Sequence, residues 1–404
     1  MHAADPVEEQ YTRHSYPEAG NDIPTWLKSW NYNPYNPDRN EALFWPEGRP
    51  RLDLKVLVAG CGTMQAAVHA FNNPQCKVTG IDFSQTSIAH EEQLRERHNL
   101  KNLTLRKMDL RDAAELGSSF DLIVSSGVLH HLVDPNEGLQ ALASVLEPSH
   151  GVMVIMVYGR MARVGVYALQ DAFRRMRVPQ TAQGVKFVRD TIQRLRARHP
   201  GRWYFEMSPE MNSDAAIVDT FLHTQDTAYS VQELLDFVDK NNLVFKGWLD
   251  SGIYNQEWEG LDPTVSERDR WSAIENLTAR ITQHTFMVSR PERDSRSDVN
   301  LDNDNWLDYF PVRHPDLQPS VFQPNKGVRG EYEFAMSAFE HELLTAADGS
   351  NTIGQILKRK AFVTMAAGQR HGLGKDFFKR MWRLGHMFFS LVPLRHQSTV
   401  AAQF

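Results

Sequence analysis

Five short stretches of the sequence bring together residue types with chemical capacity. Gly60-Cys61-Gly62-Thr63 follows the apolar run Leu54–Ala59. Glycines in such a turn adopt backbone angles that a Cβ forbids and let main-chain amides approach a ligand. A helix starting just behind them offers unpaired N–H groups to an acceptor. Asp82 ends the run Val78-Thr79-Gly80-Ile81-Asp82, twenty positions after Gly62. A carboxylate placed there can accept both hydroxyls of a ribose. Asp109 follows a third run, Leu103–Lys107, where an acidic side chain could meet an adenine amino group. His130-His131 and Tyr158-Gly159-Arg160 close two more such runs. An imidazole titrates near neutrality and can act as a general base. Tyr158 can donate to or accept from a substrate, and Arg160 can pair with a carboxylate or phosphate. His130, His131 and Asp134 are the nearest approach to a metal set. Adjacent histidines without a third ligand at helical spacing make a poor one, so no metal site is expected.

These residues need elements to hold them, and the pattern supplies alternating strands and helices. Short apolar runs at 54–59, 77–81, 103–107, 120–125 and 152–157 read as buried strands. Helical stretches separate them at 64–71, at 84–98 with Ser84 as N-cap, and at 137–146. The rhythm resumes with a helix at 230–240, a strand at 243–248, a helix at 265–281 and a strand at 285–288. Alternation of this kind implies a parallel sheet with helices on both faces. The glycine turn does not fit a dinucleotide fingerprint, because Gln65 stands where G-x-G-x-x-G requires its third glycine.

In order and spacing, Gly60-Cys61-Gly62-Thr63, Ile81-Asp82-Phe83-Ser84, Met108-Asp109-Leu110 and Ser126-Gly127-Val128-Leu129-His130-His131-Leu132 resemble the successive motifs of class I S-adenosylmethionine-dependent methyltransferases. The resemblance covers roughly residues 54–157, and segments 230–248 and 265–289 are similar to that fold's last two strands with their helices. It implies a doubly wound, Rossmann-like α/β fold. Its seven-stranded sheet would be mostly parallel, with the last strand, near Thr285–Val288, antiparallel. It implies S-adenosyl-L-methionine as cofactor, held by Gly60, Cys61, Gly62, Asp82, Phe83, Asp109, Leu110 and Ser126. His130, His131 and Tyr158 become the catalytic candidates, and Tyr16, Tyr158 and Arg160 the substrate-binding ones. The family often carries a further glycine two positions after Gly62, where this chain has Met64. Methyl transfer from a sulfonium is an in-line displacement, so positioning and exclusion of water carry most of the work. A base is needed only where the acceptor must lose a proton.

The rest of the chain divides by texture. Residues 1–50 are rich in aromatics and proline and read as an arm or lid. The methyltransferase domain is expected over 51–290. A helical insertion at about 160–228 carries nine basic residues between Asp171 and Arg202, a local positive field suited to an anionic substrate. The polar run 291–305 reads as a linker. Residues 306–404 read as a small, mainly helical domain that resembles a winged-helix module. Phe377–Leu391 there is an apolar helix for core packing or a homodimer contact.

A net charge of −6 argues against a general nucleic-acid binder. Two cysteines make no disulfide framework, and neither a signal peptide nor a membrane span is evident, which points to the cytoplasm. The expected reaction is methyl transfer to N or O of a small, anionic metabolite. The alternatives are a peptide or protein side chain recognised with the C-terminal domain, and a non-catalytic cofactor-binding module.

Overall fold

The computed structural model describes residues 20, 22–30, 34–255, 264–293, 298–317, 326–329, 332–362 and 365–394. The chain forms two compact units. One comprises Met1–Pro34, Asp53–Leu249 and Asp262–Arg293, and the other Tyr35–Leu52, Asp250–Leu261 and Asp294–Phe404.

In chain order the first unit holds α1 (Ile23–Trp30), β1 (Lys55–Ala59), α2 (Gln65–Asn72), β2 (Lys77–Asp82), α3 (Gln85–Arg97), β3 (Leu103–Lys107), β4 (Leu122–Ser126), α4 (Pro135–Ser144) and β5 (Val152–Tyr158). Four insertion helices follow: α5 (Val164–Arg175), α6 (Ala182–Arg194), α7 (Pro200–Met207) and α8 (Asp214–Phe221). The unit closes with α9 (Val231–Lys240), β6 (Val244–Trp248), α10 (Glu267–Thr278) and β7 (Gln283–Ser289). The strands form one sheet in the order β3-β2-β1-β4-β5-β7-β6. Strands β1 to β5 pair in parallel, and β7 runs antiparallel to β5 and β6. This is the doubly wound sheet that the motifs implied. Its centre is apolar on both faces: Val56 to Ala59, Leu122 to Val124 and Val152 to Ile155 are all buried. That is why those runs read as continuous rather than alternating. Ser84 caps α3 by accepting from the Ser87 N–H. A reciprocal Ser230–Glu233 box starts α9.

The insertion leaves at the end of β5 and has an apolar core of its own, with Val166, Phe173, Val188, Ile192, Ile217 and Phe221 buried. Its chain returns to the sheet edge it left. The Tyr229 N–H donates to the Tyr158 carbonyl at 2.9 Å, and the Thr227 N–H to the His130 carbonyl at 3.0 Å. Much of the expected positive field is locally balanced. Arg175 pairs with Asp171, Lys186 with Asp190, Arg189 with Asp214 and Arg202 with Glu206. Arg174, Arg177, Arg194, Arg196 and Arg198 are exposed.

The second unit contains β8 (Phe310–Arg313), β9 (Lys326–Arg329), β10 (Tyr332–Ala335), α11 (Ala338–Ala346), α12 (Ile353–Leu357), α13 (Ala367–Arg383) and β11 (Met387–Ser390). Leu343, Leu344, Ile353, Ile356, Phe377, Phe378 and Met381 form its core. The apolar helix expected over Phe377–Leu391 stops at Arg383. Gly385, at φ +67°, reverses the chain, and Phe388 and Phe389 continue on β11, antiparallel to β8. Gly349 turns the chain at φ +79°. A reciprocal box of Thr352 with Gln355 caps α12. Tyr35–Leu52 belongs to this unit: Phe44 and Trp45 are buried, and the Leu391 N–H donates to the Pro46 carbonyl at 2.7 Å. No helix among the described residues is long and apolar enough to cross a membrane.

Candidate active site

The glycine turn lies between the C-terminal end of β1 and the start of α2. Gly60 has φ +73° and Gly62 φ +56°. A Cβ on Gly60 would fall 2.3 Å from Val128 Cγ2, so conformation and space both demand glycine there. Asp82 is 7% exposed at the end of β2. Its Oδ2 accepts the Gly62 N–H at 2.9 Å and its Oδ1 the Ser84 N–H at 2.8 Å. Burial pushes the carboxyl up, against the pull of those two hydrogen bonds. Each oxygen retains a further lone-pair direction, the number two ribose hydroxyls need. Cys61 and Leu110 are buried, while Phe83 and Ser126 are half-buried. Asp109 caps the helical turn Leu110–Leu116 and chelates the Arg111 guanidinium at 2.6 and 3.0 Å.

A second carboxylate behind the turn escaped the sequence reading. Glu91 of α3 is fully buried and accepts the Ala66 and Ala67 N–H groups at 2.9 and 2.8 Å, capping α2 from outside. Burial drives its carboxyl up to about 8. Next to it, His90 Nδ1 donates to the Thr63 carbonyl at 2.7 Å. Helix α3 thus grips the glycine turn and the start of α2 at two points. The signal was available: Glu91 lies three positions from both Ile88 and Leu94, on a buried apolar face.

At the ends of β4 and β5 the acceptor-side candidates come together. His130 is fully buried, with its ring 4.0 Å from Tyr158 and 4.2 Å from His131. The His131 ring stacks on His223 at 4.0 Å, and its Nδ1 donates to the Gln225 carbonyl at 3.1 Å. The Tyr158 hydroxyl donates to Asp219 Oδ2 at 3.1 Å. Over the Tyr158 ring lies the Arg163 guanidinium, 3.6 Å from the centroid. That guanidinium donates to the Tyr204 hydroxyl at 2.6 Å and reaches Asp226 Oδ2 at 3.5 Å. Burial holds the His130 imidazole well below its ordinary range and His223 down to about 2, and it pushes the Asp226 carboxyl up.

Arg163, Asp219, His223 and Asp226 were missed because they are polar residues of the insertion, with no motif of their own. Arg160 lies to one side, exposed, holding the Ala228 carbonyl at 2.8 Å and Glu233 at 3.0 Å. Asp134 caps α4 through the Asn136 N–H and takes no part. Tyr16 lies outside the described residues.

A glycine turn beside a buried aspartate, on a seven-stranded sheet of this order, defines a class I S-adenosylmethionine-dependent methyltransferase, and the chain belongs to that family. Residues 51–196 match a family model described as a methyltransferase domain. An uncharacterised protein of Synechococcus is 30% identical over 352 residues, 80% of each chain. Among solved structures, PKMT2 from Rickettsia typhi superposes with a TM-score of 0.62 at 16% identity, covering 90% of this chain and 75% of that one. Its complex with AdoHcy gives 0.59 at 16% identity, covering 90% and 76%. These structures share the fold. The chain is an enzyme, and S-adenosylmethionine is its cofactor.

Proposed function

We propose that the enzyme methylates a nitrogen or oxygen of a small metabolite brought against His130, His131 and Tyr158. Gly60, Cys61, Gly62, Asp82, Phe83, Leu110 and Ser126 would hold the cofactor, with Asp109 near the adenine through its Arg111 partner. When bound, the cofactor supplies an electrophilic methyl carbon. The protein's own residues then have two tasks: to orient the acceptor lone pair and to keep water out. The observation that carries this reading is the buried polar cluster closed over the ends of β4 and β5 by the insertion. Burial holds the His130 and His223 imidazoles in the neutral form, which has a ring lone pair to offer. Two enclosed carboxylates, Asp219 and Asp226, line the cluster, and the Arg163 guanidinium reaches Asp226 at 3.5 Å. That balance favours an acceptor presenting N–H or O–H donors over an anionic one. The pairing of Arg160 with Glu233 points the same way.

A screen of metabolite extract with isotopically labelled methyl donor, read by mass spectrometry, tests the proposal. A labelled product of low mass is expected. Label confined to peptides or proteins would overturn it in favour of a second reading, methylation of a peptide or protein side chain. That second reading draws support from the same acidic balance, which suits a side-chain amine. It draws support also from the extent of the fold shared with PKMT2, 90% of this chain.

A further inference from the structure

We propose that His130, His131 and Asp226 bind one divalent transition-metal ion of the zinc type. One ligand atom from each of the three lies within 4.8 Å of the others. Four observations point to a ligand there. First, His130 is fully buried, yet neither of its ring nitrogens has a hydrogen-bond partner. Leaving a buried polar atom unpaired is costly, so such an atom calls for a partner. Second, the Asp226 side chain has no exposed surface, and its Oδ1 is likewise unpaired. Its Oδ2 is the oxygen that takes Arg163, Tyr167 and Gln170. Third, His131 Nδ1 faces the Gln225 carbonyl, which can only accept. The ring proton is therefore on Nδ1 and the lone pair on Nε2. A backbone carbonyl fixing the tautomer in this way is the usual support of a metal-binding imidazole. Fourth, the enclosed Asp226 carboxylate has the Arg163 guanidinium at 3.5 Å, a long contact that a cation on its other oxygen would complement.

Two imidazoles and a carboxylate suit zinc and its neighbours, and three protein ligands leave a position open. Bonds of about 2.0–2.2 Å in a tetrahedral site place ligand atoms about 3.4 Å apart, so the trio must close by no more than about 1.4 Å. An alternative trio of His131, Asp219 and His223 also falls within 4.8 Å. It is the weaker set. His223 Nδ1 accepts the Gln225 N–H at 3.0 Å, which puts the ring proton on Nε2, and Asp219 already holds the Tyr158 hydroxyl.

The full-length protein, stripped with chelator, would be dialysed against Zn2+ and assayed by elemental mass spectrometry, with Co2+ absorption and X-ray absorption on the wild type. One ion per chain is expected, with a first shell of two imidazole nitrogens and oxygen. Asp226→Asn and His131→Ala should each weaken binding at least tenfold, while Asp134→Asn, outside the cluster, should not. No saturable binding by the wild type, or a sulfur shell placing the ion at Cys61 or Cys76, would overturn the site. So would unchanged affinity in Asp226→Asn. The wild-type spectra need no variant to fold, and none of these readouts depends on methyl transfer.

Discussion

At the scale of single residues, Asp82 and Gly60 serve the proposed cofactor site in different ways. Asp82 accepts two backbone N–H groups, one on each side of the turn, and so fixes the loop while keeping lone pairs for a ligand. Replacing it with alanine removes both roles. Asp82→Ala should weaken S-adenosylmethionine binding by about 1–3 kcal/mol, the usual cost of unmaking charge-assisted hydrogen bonds. Titration calorimetry reads this directly, and an unchanged dissociation constant would remove Asp82 from the site. Gly60 contributes by what it lacks. Gly60→Ala combines a left-handed backbone with a 2.3 Å clash against Val128, so the turn must shift. Strain of this kind costs about 1–3 kcal/mol. The variant is expected to keep its far-ultraviolet circular dichroism and lose cofactor affinity tenfold or more. Both residues were legible in the sequence because their chemistry depends on local position: a glycine after a strand, a carboxylate at the next strand's end. Arg163, Asp219, His223 and Asp226 were not, because their meaning depends on four helices folding back over β5.

Among the elements, the coupling of α3 to α2 through Glu91 has a consequence for pH. The folded carboxyl sits at about 8 against an ordinary 4.5, because burial outweighs the two backbone N–H groups it accepts. The folded state therefore binds more protons than the unfolded state between those values. Glu91's contribution to stability falls as pH rises through that window, by at most about 1.4 kcal/mol per unit. Glu91→Gln removes the titration and keeps the shape. In urea denaturation, wild type should lose stability relative to Glu91→Gln between pH 5 and pH 8. A difference that stays constant with pH would mean that Glu91 is ionised throughout. The sequence showed the elements themselves wherever one period dominated. The runs at β1, β4 and β5 are apolar on both faces, and Ser84 marks the start of α3. It misled where an apolar run crossed a boundary, as from α13 into β11. There Gly385 turns the chain, but Phe388 and Phe389 keep the composition of the helix before it.

On the scale of the whole molecule, the two units interleave along the chain, so neither can be cut out at one point. The polar run 291–305 looked like a boundary, and removal of 306–404 would be the natural truncation. Yet Phe44 and Trp45 are buried in the second unit, and the Pro46 carbonyl accepts from both Leu391 N–H and the Ser390 hydroxyl, at 2.7 and 3.1 Å. Truncation would strip the partners from those aromatics, each of which buries about 150–250 Å². The truncated chain is expected to bind an apolar dye and to associate, independent of any part in substrate recognition. Trp45→Ala in the full-length protein isolates the same contact. It should cost about 3–5 kcal/mol, the range for deleting a large aromatic from a core. Differential scanning calorimetry of that variant should show an earlier transition, while cofactor binding, proposed to use residues 60–126 of the other unit, should hold. A truncated chain that stays monomeric and dye-silent would show that Tyr35–Leu52 does not need β11. Lost turnover on truncation would then bear on the acceptor rather than on folding.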